Sequence, residues 1–307
     1  MSTIEKAIEK MGKKSTVEKA DASKQEVETA LPTGDDQIAV EQHASISETV
    51  SSTDINSTQL SVTIDFNLLR MNGMVVPDDT RSRIADEYRL IKRPLIMNAF
   101  GQGASVVEHA NLIMLTSSVP GEGKTFSAVN LAMSIALERD KHVLLVDADV
   151  AKPSISRLLQ LGDKRGLIDI LIDNNINFSD VVLKTNVPNL TILTAGTIHP
   201  HSNELIASNE MAKLTDELSK RYSDRIVIFD SPPLLATTEA GVLANHMGQV
   251  VMVVESGKTQ QSMVNEALSR LNGPEIIGFI LNKTLGGMMS GEYDYNYGYY
   301  GGYASSN

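Results

Sequence analysis

The chain has no cysteine in 307 residues, so disulfides, thiolate zinc sites and cysteine nucleophiles are excluded together, and a reducing compartment is compatible. Positive charge is scarce as well. Twenty-seven Lys and Arg face 38 Asp and Glu, a net charge of −11, which argues against a general nucleic-acid binder because counterion release needs a basic face. Long apolar runs are missing. Residues 143–146, 226–229 and 250–254 are among the longest, far short of the about 20 that a membrane helix requires. The first residues lack the apolar central region of a signal peptide, and the expected compartment is the cytoplasm. No Phe, Tyr or Trp precedes Phe66.

That last absence divides the chain. Residues 14–61 are dominated by Ser, Thr, Glu, Asp, Gln and Lys, too polar to offset the entropy of ordering, and are expected to form a disordered linker. Ahead of it, Ser2 and Glu5 have capping-box spacing, and Ile4, Ala7, Ile8 and Met11 share one helical face, so residues 1–13 are expected to form a short amphipathic helix that either docks or frays.

From Phe66 onward apolar runs alternate with helical periodicity. Residues 111–116, 141–146, 190–193, 225–229, 249–254 and 276–281 are short and almost wholly apolar, as expected for strands of a parallel sheet buried on both faces. Helices are expected at 81–93, 125–139, 154–160, 203–222, 240–246 and 260–271. The alternation defines an α/β, doubly wound, mostly parallel sheet with helices on both faces, one domain over 62–286.

The strand ending near Thr116 is followed by Ser117-Ser118-Val119-Pro120-Gly121-Glu122-Gly123-Lys124-Thr125. The strict phosphate-loop pattern has Gly where Ser118 stands. The remainder keeps the essential physics: Gly121 and Gly123 let the backbone curl round an anion, and the amides of 121–125 open a helix N-terminus. Pro120, Gly121, Glu122, Gly123, Lys124, Thr125 and Phe126 are the expected ATP-binding segment. Lys124 would reach the β and γ phosphates and the Thr125 hydroxyl would hold Mg²⁺. Asp147 and Asp230 each end an apolar strand, on the sheet edge where ligands bind. Either alone could be a helix cap; together with Gly-Lys-Thr they make a Mg-nucleotide site, with Thr125, Asp147 and Asp230 as metal candidates. Asp149, two residues beyond Asp147, would point to the same side.

The end of the chain, 291–303, reads GEYDYNYGYYGGY and carries six of the eight tyrosines, Tyr293, Tyr295, Tyr297, Tyr299, Tyr300 and Tyr303. Rich in glycine, residues 287–307 are expected to form a flexible tail. Fully extended, the dozen residues after Asn282 reach about 40 Å.

Several strings together resemble the bacterial tyrosine kinases of the exopolysaccharide type, above all the tyrosine autokinases of exosortase-linked loci. SSVPGEGKT (117–125) is similar to the family's Walker A, VLLVDADVAKP (143–153) to its Walker A′ and IVIFDSPP (226–233) to its Walker B. LTAGTIHPHSNELIAS (193–208) resembles a segment after a central strand, and the tyrosine-rich end is a family hallmark. The resemblance implies a cytoplasmic kinase, peripheral to the inner face of the membrane, that uses MgATP to phosphorylate tail tyrosines of a neighbouring subunit. Its implied activator is the cytoplasmic end of a membrane polysaccharide co-polymerase. The family's ring-forming Glu-x-x-Arg-x-x-Arg motif falls on Asp86, Arg89 and Lys92, where Lys in place of Arg forgoes bidentate pairing. Where the family's Walker A′ usually carries Arg, this chain has Ala151-Lys152. Asn282 resembles an Asn that relatives place near adenine and reads equally as a strand-end turn residue.

A phenol with pKa near 10 needs a carboxylate to take its proton; Asp149 is the first candidate and Asp147 the second, with Lys124 stabilising charge. Two other readings are open: a MinD- or ParA-like ATPase, disfavoured because position 119 is Val where those proteins carry Lys, and a non-catalytic nucleotide-binding scaffold.

Overall fold

The computed structural model describes residues 60–101, 107–221, 224–274 and 276–284. The helix expected at 1–13, nearly all of the linker at 14–61 and the tail at 287–307 lie outside them.

Eight strands form one sheet: β1 (Ser61–Val62), β2 (Leu112–Ser117), β3 (His142–Asp147), β4 (Leu183–Thr185), β5 (Leu190–Leu193), β6 (Arg225–Asp230), β7 (Gln249–Glu255) and β8 (Ile276–Asn282). Their order is β1-β4-β5-β3-β6-β2-β7-β8. Every pairing is parallel except β4 with β5. Because side chains alternate along a strand, Ile113, Leu115, Val143, Leu145, Ile226 and Ile228 enter one core, while Leu112, Met114, Leu144, Val146, Val227 and Phe229 enter the other. Helices cover both faces, which is why these strands are apolar throughout rather than alternating.

The helices are α1 (Phe66–Met71), α2 (Arg83–Phe100), α3 (Lys124–Ala136), α4 (Ile155–Leu158), α5 (Leu167–Ile172), α6 (Ser202–Ile206), α7 (Asn209–Arg221), α8 (Glu239–Ala244) and α9 (Gln261–Leu268). Tyr88 and Leu95 of α2 and Ala128, Val129 and Leu131 of α3 complete the first core. Met211 and Leu214 of α7 and Ala240 and Leu243 of α8 complete the second.

Three differences from the sequence reading have local causes. The helix expected to stop at residue 93 runs through Pro94 to Phe100, its apolar face held by Leu95 in the core. The helix expected over 203–222 is two, because Ser208 starts the second: its Oγ accepts from the amide of Met211 at 3.3 Å, an N-cap arrangement. Strands β1 and β4, with α1 and α5, were not foreseen; α1 is opened by Asp65, whose carboxylate accepts from the amides of Asn67 at 2.8 Å and Leu68 at 3.4 Å.

The register places the chemistry. Asp147 at the end of β3 lies opposite Asp230 at the end of β6, and β6 pairs with β2, Leu115 opposite Asp230. Three adjacent strands therefore deliver two carboxylates and the loop after β2 to one edge.

Candidate active site

The loop between β2 and α3 turns on Gly121 (φ +93°) and Gly123 (φ +99°), a region that side chains rarely enter. Gly123 is also enclosed, since a Cβ there would lie 2.1 Å from Nδ2 of Asn282. Helix α3 begins at Lys124 with no side-chain cap and no acid in its first turn. Its first amides are thus left for an anion.

Lys124 is nearly buried, with 9 % of its surface exposed. Its Nζ donates to Oδ2 of Asp149 at 2.6 Å and stands 3.9 Å from Oδ1 of Asp230. Burial works against the ammonium, but Asp230 and Asp149 outweigh it and hold the lysine above its usual pKa. Asp230 is wholly buried and neither of its oxygens forms a well-aligned hydrogen bond. Burial pushes it to about 6, with Lys124 and the Thr125 hydroxyl only partly offsetting the cost. Asp147 is pushed to about 7 by burial first and by Asp230 second. One of its oxygens, Oδ2, accepts from the amides of Ser154 at 3.0 Å and Ile155 at 2.9 Å and so caps α4; the other, Oδ1, is buried without a partner. Both readings of Asp147 are therefore realised in one side chain, cap and free acceptor.

A cavity of about 650 Å³ opens over the loop, and Pro120, Gly121, Gly123, Lys124, Thr125, Phe126 and Asp149 line it. Lys152 and Arg157, Leu68 and Asn72 from the region of α1, and Pro232, Pro233 and Thr237 after β6 complete the wall. Sequence patterns did not reveal the α1 contribution, because no local signal ties residue 68 to a loop more than fifty positions away.

Glu122 and Asn282 do not face this cavity. Glu122 is 1 % exposed. Its Oε2 accepts from the amide of Val119 at 2.8 Å, and its Oε1 from the amide of Glu255 at 3.3 Å and from the Thr259 hydroxyl. An acid inside a phosphate loop would repel the ligand unless turned away, and here it fastens the loop to β7. Asn282 donates from Nδ2 to the carbonyl of Glu122 at 2.9 Å, which makes it a brace of the loop; its side chain lines a different cavity, beside Tyr88 and Ile91 of α2. Lys283 adds a second brace, with Nζ 2.7 Å from the carbonyl of Gly121 and 3.1 Å from Oε2 of Glu255.

The expected oligomer contacts separate. Asp86 and Arg89 are exposed and pair with each other, and Arg89 also donates to the carbonyl of Thr80 at 2.8 Å. Lys92 is buried at 5 % exposure. Its ammonium donates to the carbonyl of Ser134 and meets Oε1 of Glu138, both at 2.6 Å. It is engaged inside the subunit, between α2 and the end of α3. The expected tyrosines at 293, 295, 297, 299, 300 and 303 lie outside the described residues, and no helix among the described residues is long and apolar enough to cross a membrane.

A parallel sheet with a glycine-turned loop leading into a helix, and a lysine set among strand-end aspartates, defines a P-loop nucleotide-binding domain, and a family profile described as an AAA domain matches residues 110–269. Over 232 residues the chain is 33% identical to the tyrosine-protein kinase YwqD of Bacillus subtilis, covering 75% of this chain and 91% of that one. It is 34% identical over 193 residues to the tyrosine-protein kinase Wzc of Salmonella typhimurium, covering 61% of this chain and 26% of that protein. The solved kinase domain of the Escherichia coli tyrosine kinase ETK is similar at a TM-score of 0.61 and 25% identity, covering 78% of this chain and 94% of that domain. The chain belongs to the bacterial tyrosine-protein kinases.

Proposed function

We propose that the protein transfers the γ-phosphoryl group of MgATP to tyrosines of its own C-terminal segment on an adjoining copy, as an autokinase of exopolysaccharide synthesis and export. The observation that carries this reading is Lys124, buried at the mouth of an uncapped helix and held by Asp149 and near Asp230.

The triphosphate lies along the amides at the start of α3. Its negative charge draws Lys124 off Asp149, so the carboxylate that neutralised the lysine is released to face the acceptor. A tyrosine Oη forms the bond to the γ-phosphorus while the bond to the β–γ bridging oxygen breaks and ADP leaves. The phenol proton passes to Asp149, which lines the cavity. Asp147 is the weaker candidate for that step, since it does not line the cavity and one oxygen is tied to two amides at the start of α4, whereas Asp149 accepts from a single amide, that of Lys152, at 3.2 Å. Most of the acceleration comes from Lys124 and the loop amides holding charge and alignment.

The residues fit a divalent cation: both oxygens of Asp230 and Oδ1 of Asp147 are buried acceptors without a well-aligned donor, and the Thr125 hydroxyl stands beside Asp230. When bound, Mg²⁺ would neutralise phosphate charge. Six phosphates would add roughly −9 to −12 charges to a tail already holding Glu292 and Asp294, which favours its release and a looser ring once modified. Asp86 and Arg89 are the exposed members of the implied ring contact. A membrane polysaccharide co-polymerase, through its cytoplasmic end, is the implied activator, with residues 1–13 as docking element.

Incubation of the purified chain with radiolabelled MgATP, followed by phosphopeptide mapping, tests the reading. Label is expected on tail tyrosines and lost in Lys124→Ala. Free phosphate without labelled tyrosine would replace the kinase by an ATPase, and neither product would leave a scaffold.

A further inference from the structure

An acceptor must approach the phosphate loop from some direction, and the surface beside the first cavity is not uniform. A second cavity of about 450 Å³ adjoins it, and Arg157 and Gln160 line both. Anything lying in the second cavity therefore passes the mouth of the first.

The character of this groove runs against that of the molecule. On a chain of net charge −11, it presents Arg157 and Lys164 against one acid, Asp163. Both cations are exposed, and neither pairs with a carboxylate among the described residues; Arg157 donates only to Oγ of Ser154, at 3.2 Å. Lys152, also exposed and unpaired among those residues, stands on the rim of the first cavity. Unpaired cations clustered at a cavity mouth raise the local concentration of anionic ligands and orient them. The groove also holds Ile198, 84 % exposed, an apolar contact that a purely ionic ligand such as free phosphate would leave unused.

We propose that this groove is the acceptor-docking subsite, and that it binds the acidic, tyrosine-bearing segment 291–303 of a second copy of this chain. The inference rests on the kinase reading and adds to it the surface and the specificity-determining side chains, Arg157, Lys164 and Ile198, that would hold the acceptor. That segment opens Gly-Glu-Tyr-Asp-Tyr, with Glu292 and Asp294 flanking Tyr293, and no Lys or Arg follows Lys283. Its acids meet Arg157 and Lys164, a ring packs on Ile198, and the neighbouring hydroxyl reaches the first cavity past Arg157. Specificity then comes from charge beside the tyrosine rather than from recognition of one particular tyrosine, so the first acceptors are those nearest Glu292 and Asp294.

The test uses the full chain. Fluorescein-labelled peptide 291–303 and the same peptide carrying E292K and D294K are titrated into wild type and into Lys164→Glu, with anisotropy as the readout; both peptides are then used as kinase substrates. Wild type is expected to prefer the acidic peptide, and Lys164→Glu to bind it about fivefold more weakly, the scale of a partly exposed ion pair. The charge-reversed peptide should recover that loss in the variant. In turnover the change should fall on the peptide KM, with kcat and the KM for ATP unchanged. Equal affinity of wild type for both peptides, or a loss in Lys164→Glu that the reversed peptide does not recover, overturns the subsite. If the charge swap behaves as expected but no phosphotyrosine forms, the docking groove stands and the kinase reading falls. If phosphotyrosine forms with a peptide KM indifferent to residue 164, the kinase reading stands and the groove falls.

Discussion

Asn282, the last residue of β8, donates its side-chain amide to the backbone carbonyl of Glu122 at 2.9 Å, across 160 positions of sequence. The same amide nitrogen fills the space where a Cβ on Gly123 would stand. Gly123→Ala therefore meets two obstacles, a left-handed backbone and an occupied volume. We expect this variant to lose nucleotide binding, read by calorimetric titration with MgADP. Asn282→Ala combined with Gly123→Ala removes the collision but not the φ of +99°, so only part of the affinity should return.

Glu122 is the other anchor of the loop. Its removal in Glu122→Ala leaves the amide of Val119 without its acceptor and the amide of Glu255 with only the Thr259 hydroxyl, at a cost of about 1–3 kcal/mol for a buried group left unsatisfied. The expected result is a lower midpoint in denaturant melts and a raised KM for ATP. Glu122→Gln, which keeps an acceptor oxygen, should recover most of the stability.

Lys124→Ala is expected to lower tyrosine phosphorylation by about 10²–10³-fold, the effect of deleting one preorganised charge-stabilising donor. Quantitative mass spectrometry of the tail peptides measures it. Because Asp149 and Asp230 lose their counter-ion at the same time, circular dichroism of the variant must show that the fold persists.

The strand-end acids make stability depend on pH with a definite sign. Asp147 at about 7 and Asp230 at about 6 bind protons more tightly in the folded chain than in the unfolded one. Their contribution therefore favours folding at low pH and is lost as pH rises from about 4 to about 7. Asp230→Asn, which imitates the protonated acid, should melt at a higher temperature than wild type at pH 8, and the gap should close toward pH 5. Scanning calorimetry at the two pH values decides it.

Lys92 and Arg89 offer a contrast within one helix. Lys92→Met removes donors from the carbonyl of Ser134 and from Glu138, so stability should fall by about 1–3 kcal/mol. Arg89→Ala, on the exposed face, should leave the melt unchanged and shift the oligomer measured by light scattering if the implied ring forms.

Strands β2, β3, β5, β6 and β7 were legible because burial on both faces leaves a continuous apolar run; β8 is as apolar in sequence, yet as the sheet edge it leaves Ile277, Phe279 and Leu281 exposed. The two- and three-residue pieces β1 and β4 were not legible, for they are too short to carry a pattern; Ser61 pairs with Lys184 by position alone. In the site, Lys124, Asp147 and Asp230 could be placed because each sits beside a recognisable strand end. The duties of Glu122, Asn282 and Lys92 could not, since a side chain's direction depends on which distant backbone it meets. An acid within an anion-binding loop was the one available hint that Glu122 turns inward.

Asp147 holds the first amides of α4 with one oxygen and leaves the other bare beside Asp230. Architecture and reactivity are thereby fused in a single carboxyl group: an inert Asp147→Ala protein would be as consistent with an unravelled turn as with a missing proton acceptor. Mutagenesis at Asp149, whose burden is lighter, is the cleaner route to the base, and position 147 can tolerate only replacements that serve both masters.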